Sequence, residues 1–429
     1  EAALGVVGIL ALLITYVLLT GWNPVPGMLD WLQRTGSLSK PETTWKTRLS
    51  ARPEYAVVTE HAVIALMRGA VEVRDAGNGD KLWAKDVPWA AVAGAGSNAV
   101  VVAGRGNGKG YEVIDPPTGA VRWNDDSALA VWTYRDAVLA LTCQQVSNCA
   151  LSNRDPSGGQ VRWRTPLPGI GRVLAGVNHD LLGSRDLTAS TVDSRVSSPA
   201  DLPAALGFPL DGKVQVVDTE TGRRLPAAEA GQQTRVVVVG GRVLFSTAER
   251  KQGQCRYSLE ARDAGTGARV WQKDGYDLRT ASGAGCEQRR DPAGGGGTLA
   301  AIRGDNREVL LDAAGGRELW VGAPGEHALA TDGRIALVRT ADGKAVKAID
   351  LGNADVLWQR AVGKDTEATI TRFAALVVDG ERVRAFELGT GRTLVDAKSG
   401  ARVIGCGPAA VLLATGRNVG LLPFGSVSS

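Results

Sequence analysis

The hydrophobic pattern of the chain falls into two unlike parts. Residues Ala2 to Trp22, AALGVVGILALLITYVLLTGW, carry no charged side chain over 21 positions. At 1.5 Å rise per residue a helix of that length spans roughly 30 Å, the thickness of a bilayer core. The pattern predicts a transmembrane helix over residues 1–23, with Tyr16 and Trp22 near the headgroup level where amphipathic rings settle. The alternative, a cleaved signal peptide, asks for a shorter run and a small-x-small site. The following Gly21-Trp22-Asn23-Pro24-Val25-Pro26 offers no such site, and the first cysteine is Cys143. Residues 24–42 read as a juxtamembrane linker or a short interfacial helix, with Met28, Leu29, Trp31 and Leu32 at the membrane surface and Asp30 and Arg34 in water.

From residue 43 to 425 the apolar runs are short and are divided by Gly and Asp turns, the signature of antiparallel strands. One phrase recurs, Asp-x-x-x-Gly-x-x-x-Trp. It stands at Asp75, Gly79 and Trp83; Asp115, Gly119 and Trp123; Asp155, Gly159 and Trp163; Asp263, Gly267 and Trp271; and Asp312, Gly316 and Trp320. Three copies are degenerate: Asp218 and Gly222 precede Pro226, Asp350 and Trp358 flank Ala354, and Glu387 and Gly391 precede Val395. The Trp-equivalent positions lie 40, 40, 63, 45, 49, 38 and 37 residues apart. In each unit two apolar runs lead to a third ending at the Asp, such as Ala70-VEVRD, and the Trp opens a fourth. Four strands per roughly 40 residues is the pattern of a propeller blade.

The phrase has a local physical reason. Asp accepts hydrogen bonds from turn amides two residues on. Gly takes a positive φ that other residues resist. Trp on the outer strand covers the space between blades. After Val395 only three apolar runs remain, while Thr44-WKTRL resembles the fourth strand of other units, and Trp45 lies 38 residues before Trp83. Residues 43–49 are therefore expected to complete the last blade and close the ring, leaving no open edge. The literal count is nine units.

Composition adds little beyond this. Eleven Trp against 5 Phe and 6 Tyr fit the repeated role, and 55 Gly fit many tight turns. A net charge of +4 with no dense Lys/Arg cluster excludes a nucleic-acid partner.

The phrase Asp-x-x-Thr-Gly-x-x-x-Trp, best matched at Asp115 to Trp123 and Asp263 to Trp271, is similar to the tryptophan-docking motif of quinoprotein-like (PQQ-like) propellers. The resemblance covers roughly residues 43–425 and implies an all-β propeller of four-stranded blades, eight by family expectation. The family spans quinoprotein alcohol dehydrogenases, the propeller lipoprotein of the outer-membrane barrel assembly machinery, and sensor domains of bacterial receptor kinases. Its dehydrogenases use a quinone, a Ca²⁺, a catalytic Asp and adjacent cysteines. This chain has no Cys-Cys pair and no Cys-x-x-Cys-His, so neither a catalytic site nor a cofactor or metal is expected. His61, His179 and His327 fall in different units, and no His/Cys spacing fits zinc. The run Gly294 to Gly297 precedes a strand, not a helix, so it reads as a flexible blade loop and not as a phosphate cradle.

Cys143 and Cys149 flank a turn within one unit, where a disulfide would staple a hairpin; Cys255 and Cys286 occur in successive units and would bridge neighbouring blades. Cys406 is left inside an apolar run. Paired cysteines point to an oxidising compartment. The expectation is a single-pass protein of the cell membrane, held through residues 2–22, with its propeller on the extracytoplasmic side. It is expected to serve as a non-catalytic scaffold or accessory subunit that binds another membrane or envelope protein. A ligand-sensing ectodomain is the alternative, and a PQQ-dependent dehydrogenase the third reading. Two long polar stretches, about 184–206 and 277–298, are the expected partner loops.

Overall fold

The computed structural model describes Leu38 and residues 41–427, apart from 107, 146–147, 171–175, 178–180, 188–193, 211, 230, 232, 283–285, 364 and 381. The expected membrane span and most of the juxtamembrane segment lie outside the described residues. Among the described residues no helix is long and apolar enough to cross a membrane.

Among the described residues nine blade sheets follow one another along the chain, with a two-stranded hairpin, Ala281–Ser282 with Glu287–Gln288, between the fifth and the sixth. In chain order they are blade 1 (53–86), blade 2 (90–125), blade 3 (128–166), blade 4 (205–229), blade 5 (234–274), blade 6 (293–321), blade 7 (327–361), blade 8 (366–398) and blade 9 (402–423). Blade 9 gains its outermost strand from Trp45–Arg48, which pairs antiparallel with Asn418–Pro423, Trp45 opposite Leu421. The first and last blades touch through their first strands, Pro53–Val58 and Arg402–Cys406. The ring therefore closes with nine blades, one more than the eight of the family resemblance. The repeat spacing already counts nine Trp-equivalent positions once Trp45 is included.

The core is divided in the same way. Nine apolar clusters form, and each is shared by two neighbouring blades. The inner strands are sandwiched between neighbours on both faces, which is why they read as continuous apolar runs such as Ala62–Met67, buried throughout. The outermost strands, such as Lys81–Asp86, are largely exposed and hold the polar residues. Blade 4 departs from the plan. It has three named strands, and its first-strand position beside Ala205–Leu210 is taken by Leu182, whose amide donates to the Gly207 carbonyl at 3.1 Å.

The run Gly294 to Gly297 is not a loose loop. Ala293–Gly295 is the first strand of blade 6 and turns directly into Thr298–Ile302. A Cβ at Gly295 or Gly296 would lie 2.2 or 1.7 Å from the carbonyl oxygens of Thr331 and Asp332 in blade 7. Glycine is required because two main chains touch there.

Candidate interaction face

The repeated phrase builds the seams between blades. In blade 1 the Asp75 carboxylate accepts from the amides of Gly77 and Asn78 at 2.8 and 3.1 Å, and the Gly79 amide donates to the Asp75 carbonyl at 3.0 Å. The same turn recurs at Asp115, Asp155, Asp263, Asp312 and Asp350. Gly79, Gly119, Gly159, Gly267 and Gly316 all lie at φ between +72° and +78°. Hydrogen bonds from the Ser157 hydroxyl and the Gly158 amide hold the Asp155 carboxyl below the usual range. The Thr266 amide and hydroxyl do the same for Asp263.

Six of the blade Trp dock on the turn of the following blade. The indole N–H of Trp45 donates to the Ala76 carbonyl (2.9 Å), that of Trp83 to Pro116 (2.6 Å), and that of Trp123 to Pro156 (3.0 Å). Trp163 donates to Thr219 (2.8 Å), Trp271 to Ala313 (3.1 Å) and Trp358 to Leu388 (2.8 Å). The ring then lies flat over the turn glycine. A Cβ at Gly79, Gly119, Gly159 or Gly316 would come within 2.6 to 3.1 Å of that indole.

The degenerate copies alter single seams. Blade 4 offers Pro226 to blade 5, and nothing lies within 4 Å of a Cβ on Gly267. Blade 7 has Ala354 at the glycine position with φ +62°, and Trp320 instead packs beside Ile349 and Leu351. At blade 8 the Trp position is Val395. There the strand is covered by the chain's own tail, Ser426–Val427, which pairs in parallel with it, and by Phe424 and Leu38 in the same cluster. The Asp, Gly and Trp residues are thus spread around the circumference and do not converge on one pocket.

The ring has two unlike faces. The Asp–Gly turns and the first hairpin of each blade share one face and bond to each other, as Ala76 to His61 and Ala313 to Gly297. That face is regular. The opposite face carries the second hairpin of each blade and the connections between blades, and here the chain is elaborated. Hairpin Val138–Gln145 with Asn148–Arg154 and hairpin Arg242–Lys251 with Gln254–Asp263 outreach the others. Each carries a disulfide. Cys143–Cys149 joins directly opposite residues of the first hairpin, as the spacing led one to expect. Cys255–Cys286 ties the second hairpin to the connection between blades 5 and 6. It therefore staples a loop back onto blade 5 and does not bridge two blades. Cys406 is a free, buried thiol, and burial pushes its pKa up to about 12.

The two long polar stretches, and the segment leading into the first, are tied to the ring by main-chain bonds. Gly176–Val177 adds in parallel to the first strand of blade 3, and Arg185–Asp186 adds in parallel to that of blade 6. Arg195 then pairs with Glu54 at 3.3 Å and lies 4.8 Å over the Tyr55 ring, on the first strand of blade 1. Finally the Arg135 amide donates to the Ala200 carbonyl back on blade 3. First strands line the axis, so a segment that visits blades 3, 6, 1 and 3 in turn crosses the axial passage. The second stretch meets it: the Arg185 amide donates to the Pro292 carbonyl at 2.9 Å, and Arg235 pairs with Asp291 at 2.6 Å. Polar composition hid this packing, because main-chain bonding to an inner strand needs no apolar pattern.

Two open clefts lie on the elaborated side. One, of about 310 Å³, sits where blade 2 meets blade 3, lined by Asp125, Ser127, Ser152, Arg154 and Arg164. The other, of about 700 Å³, sits on blade 7 beside Glu326, Asp342, Lys344 and Lys347, with Lys347 paired to Glu326 at 2.6 Å. Among the described residues no group of three or more His, Cys, Asp or Glu is placed to hold a metal ion.

Residues 255–405 match the family model described as outer membrane protein assembly factor BamB. The match runs from the stapled hairpin of blade 5 into the first strand of blade 9, about a third of the chain. BamB from Moraxella catarrhalis is similar in structure, 16% identical, with 90% of this chain and 100% of that chain covered at a TM-score of 0.39. Quinohemoprotein alcohol dehydrogenase from Comamonas testosteroni is 12% identical over 93% of this chain and 78% of that chain, TM-score 0.41. Apo AztD from Citrobacter koseri is 14% identical over 81% and 96%, TM-score 0.37. No curated protein matches in a sequence comparison. These likenesses bear on the fold, and fold leaves the activity open.

Proposed function

We propose that this chain is a non-catalytic, membrane-anchored propeller of the cell envelope that serves as a protein-interaction scaffold or accessory subunit of a membrane complex. The observation that carries the reading is the division of the ring. Trp packs at seven of the nine seams and the axis is crossed by residues of the chain's own insertion, so the central passage of the ring is occupied by protein. What is left for recognition is the outer surface, and one face of it is built up with long hairpins and two disulfides. The disulfides favour an oxidising, extracytoplasmic setting, and the uncharged run 2–22 supplies the anchor.

The test is crosslinking in native membranes, followed by gentle detergent extraction and sizing of the full chain. A defined complex with a second envelope protein is expected. A lone monomer under every extraction condition would remove the subunit reading.

A further inference from the structure

The lobe stapled by Cys255–Cys286 carries an unusual set of charges. Arg250 lies directly opposite Cys255 in the hairpin, and Arg256 follows that cysteine. Across the disulfide, the amides of Arg289 and Arg290 both donate to the Thr280 carbonyl at 3.0 Å, which sets them beside Arg279. Lys251 is matched by Glu249 at 3.0 Å and Arg289 by Glu287. Arg250, Arg256, Arg279 and Arg290 are exposed and form no ion pair among the described residues. Most other arginines of the ring are tied to a carboxylate or a main-chain carbonyl, so this grouping is a local surplus of positive charge.

We infer that this stapled basic lobe docks an acidic polypeptide segment of the partner protein. The inference rests on the scaffold reading above and deepens it. Guanidinium forks match carboxylates in bidentate pairs. The disulfide, the buried bond that the Thr280 hydroxyl donates to the Gln288 side-chain oxygen, and the Ser246–Thr280 hydroxyl pair hold the hairpin and the flanking segments together before a partner arrives, which lowers the ordering cost of binding. An anionic lipid surface fits less well. Basic membrane-surface elements insert apolar side chains beside their charges, and none of the exposed large hydrophobic residues among the described positions lies on the lobe.

The test uses the full chain in non-ionic detergent and a fluorescent oligoglutamate peptide, with anionic phosphatidylglycerol vesicles as the competing surface. Saturable peptide binding that weakens with salt is expected. The combined R250E/R256E/R279E/R290E variant should weaken it by at least about 100-fold. The C255S/C286S variant, with every charge kept, should weaken it by about tenfold by loosening the lobe. Circular dichroism shows whether each variant is folded; should the combined variant fail to fold, the single R250E and R290E variants are read instead and should each weaken binding several-fold. Binding unchanged by the charge reversals, no peptide binding, or binding to vesicles alone overturns the proposal. Crosslinking of the same variants in membranes separates the two readings. A partner retained by the charge-reversed ring refutes the lobe and spares the scaffold. Peptide binding with no partner under any condition refutes the scaffold and leaves the chemistry of the lobe.

Discussion

Alanine at two turn glycines separates backbone strain from seam packing. Gly159 and Gly267 sit at the same place in their turns, both with φ +72°. An L-residue there costs about 1–2 kcal/mol in either case. The two differ in what the added methyl meets. At Gly159 it would lie 2.7 Å from the Trp123 ring; at Gly267 nothing lies within 4 Å. Trp123 would have to lift from its seat, lengthening its 3.0 Å bond to the Pro156 carbonyl and opening the seam. Overpacking of this kind costs a further 1–3 kcal/mol or so, and a lost hydrogen bond about 1 kcal/mol. Gly267→Ala should therefore lose about 1–2 kcal/mol and Gly159→Ala about 3–6 kcal/mol. The assay is urea unfolding of the full chain by circular dichroism, comparing midpoints only where the slope is unchanged, with hydrogen exchange at residues 155–163 to localise the loss. Equal losses within about 0.5 kcal/mol would refute the view that the indole, and not the turn alone, demands glycine.

Three further outcomes follow from the seams and the core. Trp163→Phe keeps the packing but loses the donor to Thr219, so it should cost about 1 kcal/mol, against roughly 3–5 for Trp163→Ala, read by the same denaturation. Cys406, with its thiol pushed up to about 12, should resist alkylation at pH 8 in the folded ring and react on unfolding; mass mapping that finds it modified in native protein contradicts its burial. The Asp155 carboxyl is held below its usual range by Ser157 and Gly158, so its contribution is complete at neutral pH and is lost as pH falls through the lowered folded value. Asp155→Asn should flatten the acid limb of the stability curve, and an unchanged slope below about pH 4 would count against the linkage.

The architecture was legible because it repeats. A local turn requirement writes Asp, Gly and Trp into the sequence at every blade, and the spacing alone counts nine when Trp45 is included. The Cys143–Cys149 disulfide was legible from its place beside a hairpin turn; the pairing of Cys255 with Cys286 was legible too, but not that it ties a connection back onto blade 5. Three things were not. Pro226 and Ala354 signal weakened copies, but not which neighbour pays no heed to them; that depends on each Trp reaching forward to the next blade, a direction absent from the sequence. The glycines 294–297 looked like slack, because the demand on them comes from a main chain some thirty-five residues away at Thr331 and Asp332. The segment that crosses the axis looked like a solvated loop, since its bonds to the inner strands of blades 3 and 6 are made by the main chain and leave side chains free to be Ser, Asp or Pro.

The closure of blade 9 has a consequence for biosynthesis. Trp45–Arg48 is made first among the described strands, yet its partner Asn418–Pro423 is made last but one. At about 5–20 residues per second, the opening strand waits some tens of seconds with its edge unsatisfied while eight blades emerge. During that wait it can add to any finished outer edge in the crowd, its own or a neighbour's. Whatever the chain meets as it emerges must keep that short strand apart until the final hairpin appears.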